Sequence, residues 1–154
     1  MRILVLSDSH RRLLNININE YDYIIHCGDY GNEYNFLNDN NLLYVKGNCD
    51  IYGPKERKIN INNKTILITH GDLYNVKYNL TNLTYKGLSE NANIVFYGHT
   101  HIQHYFYSDN ILYINPGSYQ NNDYVIINDN DIFFYNNDKL INRISYSWRW
   151  DNDY

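Results

Sequence analysis

Cysteine is scarce in this chain. Cys27 and Cys49 are the two present in 154 residues. They form neither a CxxC pair nor a disulfide framework, which excludes a disulfide-stapled scaffold and fits a reducing compartment. Long apolar runs are missing as well. No stretch approaches the roughly 20 apolar residues of a membrane span. The opening run, residues 3–6, stops at Ser7 and Asp8, short of the roughly 7–15 residues of a signal-peptide core. These absences predict a cytoplasmic protein with no membrane partner. Positive charge is thin: 13 Lys and Arg, scattered, stand against 17 Asp and Glu for a net charge of −4. No electrostatic footprint for duplex nucleic acid results, and a small ligand is the expected partner.

What is present describes a globular chain. Hydrophobic residues make up 44% and charged residues 19%, and the length suits one domain over residues 1–154 that buries about two thirds of its unfolded surface. Asn15, Asn17 and Asn19, like Asn38, Asn40 and Asn41, reflect compositional bias. Short apolar runs recur at residues 3–6, 23–25, 42–45, 66–68 and 94–97, and their length and β-branched content predict buried strands. Residues 11–18 and 32–37 have helical character, which suggests βαβ crossovers and a parallel sheet. The clearest helix is expected at residues 75–89, where Val76, Leu80, Leu83 and Gly87 form one stripe. From residue 104 onward, strands at 104–107, 111–114, 124–128 and 132–135, separated by Asn-Asp turn chemistry, read as a meander. In the last stretch Ile144, Tyr146, Trp148 and Trp150 alternate with Ser145, Ser147 and Arg149. That face is expected to pack on a sheet or on a second copy in a homodimer.

The chemistry collects where the runs end. Within about four residues of five run ends stand Asp8 and His10, then Asp29, Asn48, His70, and finally His99 and His101. Ligands of open α/β sheets bind outside the carboxyl ends of the strands, so these seven residues are expected to converge. Asp8 with His10, and His99 with His101, are pairs two apart that an extended backbone would project to one side. Gly28, Gly47, Gly71 and Gly98 adjoin the candidates, half of the eight glycines, where sharp turns must bring side chains to a shared centre. Imidazole, carboxylate and one amide oxygen suit Mn²⁺, Fe²⁺, Ni²⁺ or Zn²⁺.

Asp8-Ser9-His10, Gly28-Asp29, Gly47-Asn48-Cys49-Asp50, His70-Gly71 and Gly98-His99-Thr100-His101 resemble the five signature blocks of the calcineurin-like metallophosphoesterase superfamily. Gly47 to Asp50, together with Asn115-Pro116-Gly117-Ser118, resembles its small bacterial and archaeal phosphodiesterase branch. The resemblance implies an α/β (α+β) fold, a four-layer αββα sandwich of two mixed β-sheets flanked by helices. It also implies a hydrolase with two divalent ions, Mn²⁺ first among them. Asp8, His10 and His101 would hold one ion, Asn48, His70 and His99 the other, and Asp29 would bridge. A hydroxide between the ions would attack a small phosphodiester, with Asp50 orienting a neighbouring group.

The departures from the pattern matter too. Gly28-Asp29 continues as Tyr30-Gly31-Asn32, unlike the Asp-Arg-Gly of the phosphoprotein phosphatases. Cys49 stands where many relatives place a proton-donating histidine, and is the weaker donor. Asp72 replaces a second histidine after His-Gly, and no arginine follows Ser118 closely. These changes concern substrate contacts more than metals. The alternative implied by the same resemblance is a binding scaffold like the retromer subunit of this fold, whose metal site is degraded. The seven intact ligand positions favour an enzyme.

Overall fold

The computed structural model describes residues 1–31 and 41–146. The expected helix at 32–37 and the end of the alternating stretch, residues 147–150, lie outside them. Two mixed sheets face each other. In the first, β1 (Arg2–Leu6), β2 (Tyr23–His26) and β3 (Leu42–Tyr44) run parallel. β9 (Asp123–Asn128), β10 (Asp131–Asn136) and β11 (Lys139–Ser145) extend it antiparallel beyond β1, in the order β11-β10-β9-β1-β2-β3. The second sheet has β4 (Glu56–Ile61), β5 (Lys64–Thr69), β6 (Ile94–Phe96), β8 (Ile111–Asn115) and β7 (His104–Ser108) side by side. There β5, β6 and β8 are parallel, and β4 and β7 close the edges antiparallel.

The apolar runs are continuous because both faces of the central strands are buried. Ile3, Val5, Ile66, Ile68, Ile94, Phe96, Leu112 and Ile114 point into the layer between the sheets. Their neighbours Leu67, Val95 and Tyr113 face outward under α1 (Thr81–Ser89), and Leu4 and Leu6 face outward on the first sheet. Gly87 brings α1 close to its sheet, since a Cβ there would meet the Tyr113 ring.

The expectation of a helix at 11–18 is corrected. Only a 3-10 turn at Ile18–Glu20 forms, capped by the Asn17 side chain on the Asn19 N–H. Leu14, Ile16 and Ile18 alternate with Asn15, Asn17 and Asn19, a period of two that lays the apolar side chains on the outer face of the first sheet without helical turns. The helix expected at 75–89 is shorter, because Asn75 is left-handed (φ 53°) and ends a 3-10 turn, and α1 starts at Thr81. The meander is also split: β7 and β8 complete the second sheet, and β9 crosses to pair with β1 in the first. Ile144 and Tyr146 of the final alternation pack on the core between the sheets. No helix among the described residues is long and apolar enough to cross a membrane.

Candidate metal centre

Each candidate ligand follows a parallel strand, Asp8 and His10 after β1, Asp29 after β2, Asn48 after β3, His70 after β5, and His99 and His101 after β6. The backbone turns sharply there. Asp8, His10, Asp29, His99 and His101 all have positive φ, between 45° and 71°, a conformation that costs a non-glycine residue roughly 1–2 kcal/mol. Strain of this kind concentrates at functional sites. It also explains the i, i+2 pairs, which converge by left-handed turns and not by an extended backbone. The residues between them turn away: the Ser9 hydroxyl meets His26 Nε2 at 2.8 Å, and Thr100 Oγ1 accepts from Asn115 at 2.9 Å.

Two triads result, Asp8 with His10 and His101, and Asp29 with His70 and His99, each with donor atoms within 4.8 Å of one another. Asp8 Oδ1 lies 3.2 Å from His101 Nε2 and 3.8 Å from both His10 and His70 Nε2. Asp29 Oδ2 lies 3.1 Å from His70 Nε2 and 3.9 Å from His10 Nε2. Both carboxylates therefore face both triads. Asp8 Oδ1 is fully buried and has no hydrogen-bond partner among the described residues. A buried carboxylate oxygen left without a partner is costly, and one ringed by imidazoles fits a divalent cation. The carboxylates and His70 are buried, His10 and His99 half-buried and His101 exposed, so the centre opens on the His101 side.

The remaining predicted residues lie around these triads. Asn48 is at the exposed rim, its amide nitrogen 3.7 Å from Cys49 Sγ. It lines a shallow cavity of about 170 Å³ with Lys46, Lys55 and Asp72. The Cys49 thiol is exposed and forms a third donor group with His10 and Asp29. Burial and the Asp29 carboxylate push its pKa up. Asp50 does not face the triads. Its buried carboxylate accepts the N–H groups of Gly47 (2.8 Å), Asp29 (2.6 Å) and Gly31 (3.1 Å), tying the Asp29 turn to the Asn48 turn.

Several supporting contacts escaped the sequence reading, and of the residues that make them His26 was not singled out at all. His70 Nδ1 donates to the Cys27 carbonyl at 2.8 Å, which aims Nε2 at the centre. The Gly28 N–H donates to His26 Nδ1, so Nε2 carries the proton toward Ser9. The polar side chain of His26 at the end of an apolar strand was the available signal for it. Asn115 Nδ2 donates to the Gly98 carbonyl, and Ser118 Oγ donates to the Asp8 carbonyl at 2.8 Å. The Asn-Pro-Gly-Ser block therefore braces the turns that carry Asp8 and His99.

The charges respond to this packing. Burial opposes ionisation of Asp29, but the hydrogen bond and charge of His70 and the Cys49 N–H outweigh it and hold the carboxyl at about 2. Burial likewise disfavours protonated His70, yet Asp29 and Asp8 outweigh it and raise its pKa. Burial, reinforced by His70, lowers His26 to about 3. An unfolded histidine titrates near 6.5. Below that pH the unfolded chain takes up a proton that folded His26 refuses, so stability falls toward about pH 3. The His70 contribution is complete below about 6.5 and fades as pH rises through its higher folded value. Metal-free protein should therefore be most stable near pH 6.5. Melting temperatures in chelator from pH 5 to 8.5 check this, and a steady rise through pH 8 would contradict it.

Carboxylates and imidazoles gathered at the strand ends of a two-sheet sandwich form a candidate metal centre. Residues 1–127 match the model of the calcineurin-like phosphoesterase superfamily domain, and the chain belongs to that superfamily. It is 34% identical over 126 residues to Probable metallophosphoesterase YsnB of Bacillus subtilis (strain 168), covering 77% of this chain and 75% of the relative. Among solved structures, a conserved protein from Streptococcus pneumoniae TIGR4, described as a predicted phosphoesterase, superposes with a TM-score of 0.77 at 26% identity. That superposition covers 94% of this chain and 97% of the other. Vacuolar Protein Sorting 29 from Cryptosporidium parvum has the same fold, with a TM-score of 0.74 at 17% identity over 94% of this chain and 97% of its own. Membership of the family implies divalent metal ions, and the two triads supply donors for them.

Proposed function

We propose that the protein is a dinuclear metal-dependent phosphodiesterase acting on a small phosphodiester. The observation that carries this reading is the pair of triads faced by the same two carboxylate oxygens. Asp8, His10 and His101 would hold one ion, Asn48, His70 and His99 the other, with Asp29 between them. Two divalent ions, when bound, lower the pKa of water to supply hydroxide as nucleophile and neutralise the phosphoryl oxygens. The resemblance puts Mn²⁺ first, and the oxygen and nitrogen donors suit Ni²⁺, Fe²⁺ and Zn²⁺ as well.

The chain's own residues do the positioning. Asp29 Oδ1 accepts the Cys49 N–H at 2.9 Å, which leaves Oδ2 turned to the centre. His70 is held by the Cys27 carbonyl, and Asp50 fixes the backbone under Asp29. Cys49, unlike a protonated histidine, brings no positive charge to a departing alkoxide. Esters with good leaving groups are therefore the better substrates. The diester preference rests on the branch resemblance of Gly47 to Asp50 and Asn115 to Ser118.

The same fold in Vacuolar Protein Sorting 29 favours a second reading, a protein-binding scaffold. Metal-supplemented assays of an aryl phosphodiester and an aryl phosphomonoester separate the two. Diester hydrolysis at least about tenfold faster, abolished by chelation and restored by Mn²⁺, is expected. Metal-saturated protein inert toward both esters would favour the scaffold.

A further inference from the structure

A third set of donors shares the centre with the two triads. His10, Asp29 and Cys49 bring an imidazole nitrogen, a carboxylate oxygen and a sulfur within 4.8 Å of one another. The sulfur thus stands by Asp29, which faces both triads, and by His10 of the first triad. The backbone fixes it there. Asp29 Oδ1 accepts the Cys49 N–H at 2.9 Å, and the Asp50 carboxylate ties the Gly47 and Asp29 N–H groups together. The Asn48 amide nitrogen donates to Cys49 Sγ at 3.7 Å, a contact that steadies a negatively charged sulfur. Cys27, by contrast, is fully buried between the sheets and belongs to no donor group among the described residues.

An independent feature points to a cation at the same place. Asp8 Oδ1, fully buried and without a hydrogen-bond partner among the described residues, lies 3.8 Å from His10 Nε2. Sulfur changes which ion such donors select. Carboxylate oxygens suit Mn²⁺, whereas a thiolate favours Zn²⁺ and other thiophilic ions. A thiol that coordinates a divalent ion is deprotonated outright. The S–H bond breaks, the sulfur–metal bond forms, the proton leaves to solvent, and no atom changes its oxidation state. The Cys49 side chain is exposed, so an ion reaches it directly from solvent.

We propose that Cys49 is itself a metal ligand, its thiolate joining His10 and Asp29 on the ion of the first triad and giving that position a preference for Zn²⁺ over Mn²⁺. This rests on the metal centre of the hydrolase reading and not on which ester is cleaved.

The test titrates Co²⁺ into the full chain after a chelator has removed its metal. A cobalt–thiolate bond gives a charge-transfer absorption in the near ultraviolet that bonds to oxygen and nitrogen lack. The band should grow with bound Co²⁺ in the unmodified protein and be absent from Cys49→Ser, which still binds Co²⁺ through the triads. By calorimetry, Cys49→Ser should weaken Zn²⁺ binding about tenfold or more and Mn²⁺ binding less than about threefold. A measurement on the unmodified protein needs no variant: Zn²⁺ should shield Cys49 from iodoacetamide, read by mass spectrometry. Bound Co²⁺ without the band, a band that survives Cys49→Ser, or alkylation of Cys49 as fast with Zn²⁺ as without it would overturn the assignment. So would a chain that binds no Co²⁺. Ester hydrolysis by Co²⁺-loaded protein that lacks the band would refute the ligand and spare the hydrolase, and the band in protein that hydrolyses no ester would do the reverse.

Discussion

Asp29→Asn is expected to lower the content of both metal ions and to cut phosphodiester hydrolysis by at least about 10²-fold. The reason is a matter of counting acceptors. The carboxylate uses Oδ1 for the Cys49 N–H and turns Oδ2 to His70 and His10. An amide of the same shape has a single oxygen. It either keeps the Cys49 bond and points its NH₂ group at the centre, or turns the oxygen inward and sets NH₂ against the Cys49 N–H. Neither arrangement offers a negative charge to a cation. His10→Ala, by contrast, removes a donor from one triad and should mainly weaken one ion. Elemental analysis of both variants after dialysis against limiting metal, with the diester assay alongside, distinguishes them. Two ions bound to Asp29→Asn at unchanged affinity would remove Asp29 as the bridge.

Gly98→Ala is expected to lower the melting temperature by about 2–12 °C and metal affinity by more than about tenfold. A Cβ at Gly98 would overlap Ser7 Oγ and lie 2.7 Å from Asp8 Oδ2. Retreat is blocked on both sides, because the Gly98 N–H donates to the His70 carbonyl at 2.9 Å and its own carbonyl accepts from Asn115 at 3.2 Å. The strain must pass to Asp8, whose Oδ2 holds the Ser7 hydroxyl and the His99 N–H. Overpacking of this kind costs roughly 1–3 kcal/mol, and each kcal/mol moves the melting point of a domain this size by about 2–4 °C. Thermal unfolding with and without Mn²⁺ gives both quantities. A variant that melts and binds metal like the parent would show that Ser7 and Asp8 yield to the added methyl group without strain.

The centre was legible because its residues sit where two strong signals meet. Runs such as residues 66–68 and 94–97 are apolar throughout, being buried on both faces, so their ends are sharply marked. His, Asp and Asn at those ends are few, and they recur in order. Six of the seven come together in the triads, and Asn48 stands at the rim beside Cys49. Other features carried weaker marks. β4 reads Glu-Arg-Lys-Ile-Asn-Ile, an edge strand whose charged side chains hide it from an apolar-run search. Asn115 resembled part of a family motif, but its bonds to Gly98 and Thr100 depend on β8 lying beside β6, 15 to 17 residues away in the chain.

Local chemistry by itself determined the buried strands and the ligand types at their carboxyl ends, because burial and donor chemistry are properties of short segments, while the two-sheet class came from the resemblance of the motifs. Tertiary structure alone decided that β9 leaves the meander to pair with β1, that residues 11–18 form no helix and pack Leu14, Ile16 and Ile18 against a sheet, and that Asp8 and Asp29 face both triads. Those outcomes depend on which distant surfaces compete for the same apolar area and on where backbone N–H groups fall around a carboxylate, and no stretch of a few residues contains that information.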